Sequence, residues 1–273
     1  MSSATRRLVA LDIDGTVLLE DETFSPGVVD AVHAAVAGGH LVTLATGRSW
    51  EATSHVLRGL DIQPEYVVCS NGAAILIRDD ASDSGYIRHF TEQFDCTDVI
   101  ELLETHLPDA NYLVELPDGS RLYTHYVDDW GLHRANAKQV DLADMKGLMV
   151  SRVVVVSPEH TEADFVEMVD RMGLNQVSYA VGWTAWLDIA PKGVDKSTAL
   201  ARVCELTGFA AADVVVIGDG RNDIGMFRWA AENGGRAFAM GQAPEEVSHE
   251  ATDITDDVED GGVATAFQTL GLA

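Results

Sequence analysis

This sequence predicts an α/β fold: a parallel sheet with helices on both faces, interrupted by an inserted α+β unit. Three observations predict it. Short apolar runs alternate with amphipathic stretches at both ends of the chain, the pattern of successive β-α-β units. Each apolar run ends in small or polar residues, as strands do where their tips converge on the ligand-binding edge of a parallel sheet. From residue 81 to 190 the texture changes to hairpin signals and two helical stretches, which fit a separate α+β layer. The core is therefore expected over 1–80 and 191–273, with 81–190 as the insertion.

The first element is Leu8-Val9-Ala10-Leu11, a continuous apolar run that reads as a buried strand. It leads straight into Asp12-Ile13-Asp14-Gly15-Thr16. Side chains two apart share a face of a strand, so Asp12 and Asp14 are expected to flank one spot beyond its carboxyl end. Gly15 would let the chain turn there. Ser25-Pro26 is expected to open a helix, Ser as N-cap and Pro in the first position. Val29, Val32 and Val36 form its apolar stripe, and Gly38-Gly39 ends it. The second strand, 41–45, ends in Thr46-Gly47-Arg48 ahead of a helix over 49–57. The third, 66–69, runs into Ser70-Asn71-Gly72 and a further apolar run, 73–77.

The polar stretch 79–85 reads as a linker. Beyond it, Cys96, Val99, Ile100, Leu103 and Leu107 recur at helical spacing, and 111–115 and 121–125 flank a Pro117-Asp118-Gly119 hairpin signal. Residues 152–156, 177–181 and 183–189 are strand-like, and 163–172 carries a helical stripe. Pro191-Lys192-Gly193 closes the insertion. A helix from about 194 has Lys196 in its first turn. Strand 213–218 ends in Asp219-Gly220-Arg221-Asn222-Asp223, and a helix over 223–231, a strand over 236–240 and a helix over 262–270 complete the chain. Asp253, Asp256, Asp257, Glu259 and Asp260 form an acidic cluster, read as a solvated loop or a weak cation site.

Bulk properties narrow the function. The chain has 273 residues, 47% of them hydrophobic, with a formal net charge of -26. Such an acidic surface repels phosphate backbones and anionic lipid headgroups, so nucleic acid and membrane surfaces are poor partners. Acidic residues also far outnumber basic ones within 81–190, which suits a small hydroxyl-rich ligand better than a polyanion. Cys69, Cys96 and Cys204 form no CxxC pair and read as buried free thiols in a reducing compartment. Only four apolar residues follow Arg6-Arg7, too few for a signal-peptide core, and no run is long enough to span a membrane. A cytoplasmic protein is expected; the sequence does not indicate its oligomeric state.

The strand tips then combine. Asp12, Asp14, Asp219 and Asp223 on one sheet edge would face a single Lys196. Carboxylates so close cannot all stay charged without a cation. Oxygen-only donors favour a hard ion, and Mg²⁺ suits best, because it takes one or two carboxylates, waters and a substrate phosphate. Thr46 and the amide after it could hold phosphate oxygens at a helix start, and Lys196 adds a point charge near another. Asp12, at the strand tip, is the candidate nucleophile for an aspartyl-phosphate, and Asp14 the acid and base.

In this order the motifs are recognisable. The chain resembles the haloacid-dehalogenase-type phosphohydrolases of the Cof-like group, whose large cap is inserted between the second and third motifs. The resemblance rests on Asp12-Ile13-Asp14-Gly15-Thr16, Thr46-Gly47-Arg48, Asn71-Gly72, Lys192-Gly193-Val194-Asp195-Lys196 and Gly218-Asp219-Gly220-Arg221-Asn222-Asp223. Asp260-Gly261-Gly262-Val263-Ala264 matches a closing motif with one extra glycine.

The resemblance implies a Rossmann-like parallel-sheet core with an inserted α+β cap domain. It implies Mg²⁺ held by Asp12, the backbone carbonyl of Asp14, and Asp219, with Asp223 at or behind the ion. Catalysis would fall to Asp12, Asp14 and Lys196, and substrate or phosphate binding to Thr46, Gly47, Arg48, Asn71 and Asn222. Residues 17–24 resemble the small flap of members closed by a large cap. Cap aromatics Trp183, Trp186, Tyr123 and Tyr126 either line the site or form cap core. The implied activity is hydrolysis of a small phosphorylated metabolite, such as a sugar phosphate. A phosphotransferase or phosphomutase with the same intermediate, and a ligand-binding protein without turnover, are the alternatives. The last needs a lost nucleophile or metal ligand, and none is missing.

Overall fold

The structure, a computed structural model, describes residues 6–127, 136–157, 177–181 and 186–272. The chain begins with β1 (Leu8–Leu11), α1 (Val28–Ala37), β2 (Leu41–Leu44), α2 (Trp50–Leu60), β3 (Tyr66–Cys69), β4 (Ala74–Arg78) and β5 (Tyr86–Thr91). The inserted unit contributes β6 (Phe94–Asp95), α3 (Thr97–His106), β7 (Asn111–Glu115), β8 (Arg121–Tyr123), β9 (Ala137–Gln139), β10 (Met149–Val150), β11 (Arg152–Val156), β12 (Val177–Val181) and β13 (Trp186–Pro191). The chain then returns through α4 (Lys196–Thr207), β14 (Val214–Gly218), α5 (Ile224–Glu232), β15 (Arg236–Ala239), α6 (Glu245–Ser248), β16 (Asp253–Ile254) and α7 (Gly262–Leu270).

The core sheet has the order β16-β15-β14-β1-β2, all parallel. β1 has no polar alternation because both of its faces are covered. Val9 and Leu11 pack against α1, α2 and α7, whereas Leu8 and Ala10 pack against α4 and α5. All four side chains are fully buried, and each large aliphatic one contributes roughly 1.5–3 kcal/mol. Register positions the site: Leu11 lies level with Leu44 of β2 and Ile217 of β14, so all three strands end on one edge. β3 extends the sheet beside β2 through a parallel bridge, Ala45 to Val68, and the Thr46 amide donates to the Val68 carbonyl at 3.0 Å.

Two expectations are corrected here. Residues 79–85 are not a linker. They form the turn of a hairpin in which β4 and β5 fold back antiparallel on β3, with the Asp79 amide donating to the Gly85 carbonyl at 2.9 Å. The polar composition of 79–85 suits a turn; the strand after it lacks a clean alternation, since Ile87 is exposed while Arg88 is half-buried. Nor does Ser25 cap α1. Gly27 is the N-cap, and the Ser25 hydroxyl donates to the Val258 carbonyl at 2.6 Å, tying the helix entry to the loop before α7.

The cap is a six-stranded sheet, β12-β13-β11-β7-β8-β9, with α3 packed on one face against Tyr112, Val114, Val153, Val155, Leu187 and Ile189. Its other face carries Leu113 and Val154 with Tyr123, Val156 and Trp186 around them, while Tyr126 is exposed. The helix expected over 163–172 and Trp183 lie outside the described residues. Of the acidic cluster near the carboxyl end, Asp256, Asp257, Glu259 and Asp260 are exposed, and two members make bonds within the core. Asp253 on β16 pairs with Arg236, and Asp256 accepts from the Thr265 hydroxyl at 2.7 Å. No described helix is long and apolar enough to cross a membrane.

Candidate active site

The level ends of β1 and β14 bring their acidic tips together. Asp12 follows β1 directly, its amide donating to the Ile217 carbonyl at 2.9 Å, and Asp219 follows β14; both side chains are buried. Asp223 ends the turn into α5 and accepts from the Asp219 and Gly220 amides at 2.9 and 3.0 Å, which fixes the loop. Lys196 opens α4. Asp195 caps that helix reciprocally with Thr198, accepting from its amide at 3.0 Å. The cap aims Lys196 inward, where Nζ lies 2.8 Å from Asp12 Oδ1 and 2.6 Å from Asp223 Oδ1. The Lys196 side chain is 0% exposed. A buried ammonium persists only where paired carboxylates offset a desolvation cost of several kcal/mol.

Charge at this cluster is unbalanced. One carboxylate oxygen from each of Asp12, Asp219 and Asp223 lies within 4.8 Å of the others, against one lysine. Burial, reinforced by Asp223, pushes Asp12 well above the usual carboxylate range, with Lys196 pulling it back. Burial and then Asp223 push Asp219 up to about 7. Burial works against the Lys196 charge, but Asp12 and Asp223 outweigh it and hold its pKa above the ordinary lysine value. Gly15 sits against this cluster at φ 67°, and a Cβ there would fall 2.0 Å from Asp219 Oδ2.

Asp14 lies outside this close trio of carboxylates. The chain has already left the strand, and the Asp14 carboxylate is largely exposed. Both of its oxygens accept from Arg48 Nε at 3.1 Å, and Arg48 Nη2 binds it as well. The other edge of the Arg48 guanidinium donates to Glu22 at 3.0 and 2.6 Å. Burial disfavours the Arg48 charge, yet Asp14 and Glu22 more than restore it and raise its pKa. Arg48 therefore grips an acidic group of the flap and the candidate acid/base. Thr46 is buried, and its hydroxyl accepts from the Arg48 amide at 3.0 Å, leaving its own proton to donate. Gly47 passes close to Asn71, whose side chain would lie 3.1 Å from a Cβ at position 47.

Asn71 and Asn222 come together on the same edge, Asn222 Nδ2 donating to Asn71 Oδ1 at 3.1 Å. Asn71 Nδ2 in turn donates to Asp188 Oδ2 of the cap at 2.6 Å. On the far side, Gln242 Nε2 donates to the Gly15 carbonyl at 2.6 Å and lies 3.4 Å from Asp219 Oδ2. Sequence reasoning missed Glu22, Asp188, Arg152 and Gln242. Each reaches the site through tertiary register, and none sits in a local pattern that could have marked it.

The donor set fits a hard divalent cation. It is all oxygen, and burial, reinforced by the neighbouring carboxylate of Asp223, pushes Asp12 and Asp219 toward protonation.

The comparisons with known proteins agree with this arrangement. The chain is 26% identical over 269 residues to 5-amino-6-(5-phospho-D-ribitylamino)uracil phosphatase YitU of Bacillus subtilis, covering 94% of each chain. It is 24% identical to the HMP-PP phosphatase of Yersinia enterocolitica, covering 96% of this chain and 94% of that one. The solved structure of the haloacid dehalogenase subclass IIB sugar phosphatase BT4131 superposes with a TM-score of 0.79 at 18% identity, covering 98% of this chain and all of that one. TM0651 from Thermotoga maritima superposes at 0.73 with 20% identity, covering 97% of both chains. A parallel sheet with acidic tips under an inserted cap, shared with such relatives, defines an enzyme of the phosphatase class. The profile of the haloacid dehalogenase-like hydrolases matches residues 9–267, and the chain belongs to that family.

Proposed function

We propose that the protein is a Mg²⁺-dependent hydrolase of small phosphomonoesters that works through an aspartyl-phosphate on Asp12. The observation that carries this reading is the buried Lys196, bonded at once to Asp12 and Asp223 with Asp219 beside them. A purely structural ion pair needs one carboxylate; three around one ammonium make a site for a cation and an anion together. Asp12, Asp219 and the carbonyl of Asp14 would hold Mg²⁺, with Asp223 behind. When bound, it neutralises the carboxylates and the charge of the transferring phosphoryl group.

The side chains divide the remaining work. Asp12 attacks phosphorus and the ester P–O bond breaks, the leaving oxygen taking a proton from Asp14. Asp14 then removes a proton from water, the water oxygen attacks phosphorus, and the acyl-phosphate bond breaks to regenerate Asp12. For this Asp14 must be held in reach, as Arg48 holds it, with its carboxylate open to water. Lys196 keeps Asp12 oriented and offsets its burial. Thr46 donates its hydroxyl to a phosphoryl oxygen, and the Asn71–Asn222 pair borders the same space.

The substrate class we infer is a small phosphorylated metabolite, a sugar phosphate or a phosphorylated compound of similar size. The named relatives act on such compounds, and a net charge of -26 disfavours polyanions. We further propose that the cap begins after β5, because β5 still pairs with the core. A panel of phosphomonoesters assayed for phosphate release with and without Mg²⁺ tests the reading. Release from small metabolites only with the metal supports it; release unaffected by chelation would refute the metal requirement.

A further inference from the structure

Ser70, Asn71 and Gly72 adopt positive φ in succession, at 52°, 49° and 94°. Two of them are not glycine, and each such residue costs about 1–3 kcal/mol unless its surroundings fix it. The core supplies part of that fixing. The Ser70 amide donates to the Arg48 carbonyl at 2.9 Å and the Asn71 amide to the Thr46 carbonyl at 3.0 Å. Gly72 presses on the start of α4, where a Cβ would lie 2.0 Å from the Asp195 carbonyl oxygen. One loop thus touches the turn after β2 and the helix that bears Lys196.

The Asn71 side chain is oriented from the cap. Asp188 on β13 accepts from Asn71 Nδ2 at 2.6 Å, while its other oxygen accepts from Nε of Arg152 on β11, also at 2.6 Å. Both cap side chains are nearly buried. An ionised carboxylate only accepts hydrogen bonds. Asp188 therefore turns Nδ2 of Asn71 toward itself and leaves Oδ1 facing Asn222, which must answer with its own Nδ2. A charge on the cap sets the direction of two amides at the edge of the phosphoryl site. An apolar pair would hold the cap sheet about as well, since a buried ion pair seldom stabilises more than well-packed side chains.

We propose that Asp188, oriented by Arg152, is a positioning residue: with the cap against the core, it fixes the Asn71 amide and, through it, Asn222 beside the reacting phosphoryl group. The catalytic consequence rests on the phosphatase reading; the geometric claim does not. The test uses the full-length protein and the variants D188N, R152M/D188L and each combined with N71A. R152M/D188L removes both charges together, so that the fold survives and melting curves can verify it.

Hydrogen exchange is followed at the amides of residues 70–73, and hydrolysis of p-nitrophenyl phosphate is measured in Mg²⁺. The expected result is exchange at this loop faster by roughly tenfold, the loss of one hydrogen bond to a charged group. It is accompanied by a kcat lowered by about tenfold with little change in KM, and by no further loss when N71A is added. A merely structural pair would lower the melting temperature without touching loop exchange, and its effect would add to that of N71A; either observation in a folded R152M/D188L overturns the proposal. If the wild-type protein releases no phosphate, the phosphatase reading falls, and loop exchange still decides the positioning claim.

Discussion

At the scale of single residues the account turns on how charge is distributed around Lys196. Replacing Asp12 with Asn removes the proposed nucleophile but keeps its shape, so phosphate release should fall by about 10³-fold or more. The melting temperature should hold or rise, because one of three crowded carboxylates has gone. A colorimetric phosphate assay beside a thermal melt checks both. Arg48→Ala frees Asp14 from the side chain that holds it to the core and releases Glu22. We expect kcat to drop by roughly 10- to 100-fold, the range of a misplaced acid/base, with Mg²⁺ affinity retained.

Asp219 gives a pH prediction. Its carboxyl is raised to about 7, so the folded protein holds a proton that the unfolded chain has already released. The contribution to stability is full below the ordinary carboxylate range and is lost as pH rises toward about 7. The metal-free protein should therefore melt lower at about pH 8 than at about pH 6. Mg²⁺ should remove that difference and bind up to about tenfold more weakly for each pH unit below 7, one proton being displaced. Calorimetric titration of Mg²⁺ across that range reads both.

At the scale of elements, the site exists because strand ends are level and helix starts are capped. β1, β2 and β14 stop in register, and α4 begins on Asp195 so that Lys196 points into the sheet edge. Part of this is legible in sequence, because continuous apolar runs and acidic tips are local patterns; the Asp195 cap is not, since the helix is expected from about 194 and begins at Lys196. Asp12, Lys196, Asp219 and Asp223, expected from sequence to share one edge, do come together there. What was not legible depends on register and reach. The β4–β5 hairpin is not legible because its turn is polar and β5 mixes exposed Ile87 with half-buried Arg88, which breaks the alternation of a strand. Asp14 is held by Arg48, in the turn after β2, a partner that no spacing rule reveals. Asp188 lies over Asn71 only because the cap sheet rests on the core. Gly72 is the junction of these elements. Gly72→Ala would place a methyl against a backbone oxygen that cannot move aside, and should cost about 2–4 kcal/mol, read as a lowered denaturation midpoint.

At the scale of the whole molecule, two layers close on one edge of a sheet. Cap and core meet through Asn71–Asp188, through Arg88–Glu115 at 2.7 Å and through Glu51 and Arg121 at 3.7 Å, so the cap lies over the strand tips. The surplus negative charge of the chain repels itself and is screened by salt. Added sodium chloride should therefore raise the melting temperature of the metal-free protein. The inserted position of the cap, with both connections near Asn71 and Lys196, makes its placement a property of the site itself.

The central claim is that a phosphoryl group rests on Asp12 during turnover. The most direct measurement is acid quenching of the enzyme during steady hydrolysis in Mg²⁺, followed by digestion and mass spectrometry. The account predicts one added phosphoryl group on the peptide containing Asp12, lost on mild base treatment. A labelled peptide elsewhere in the chain, or turnover at full rate with Asp12 unmodified, would contradict it.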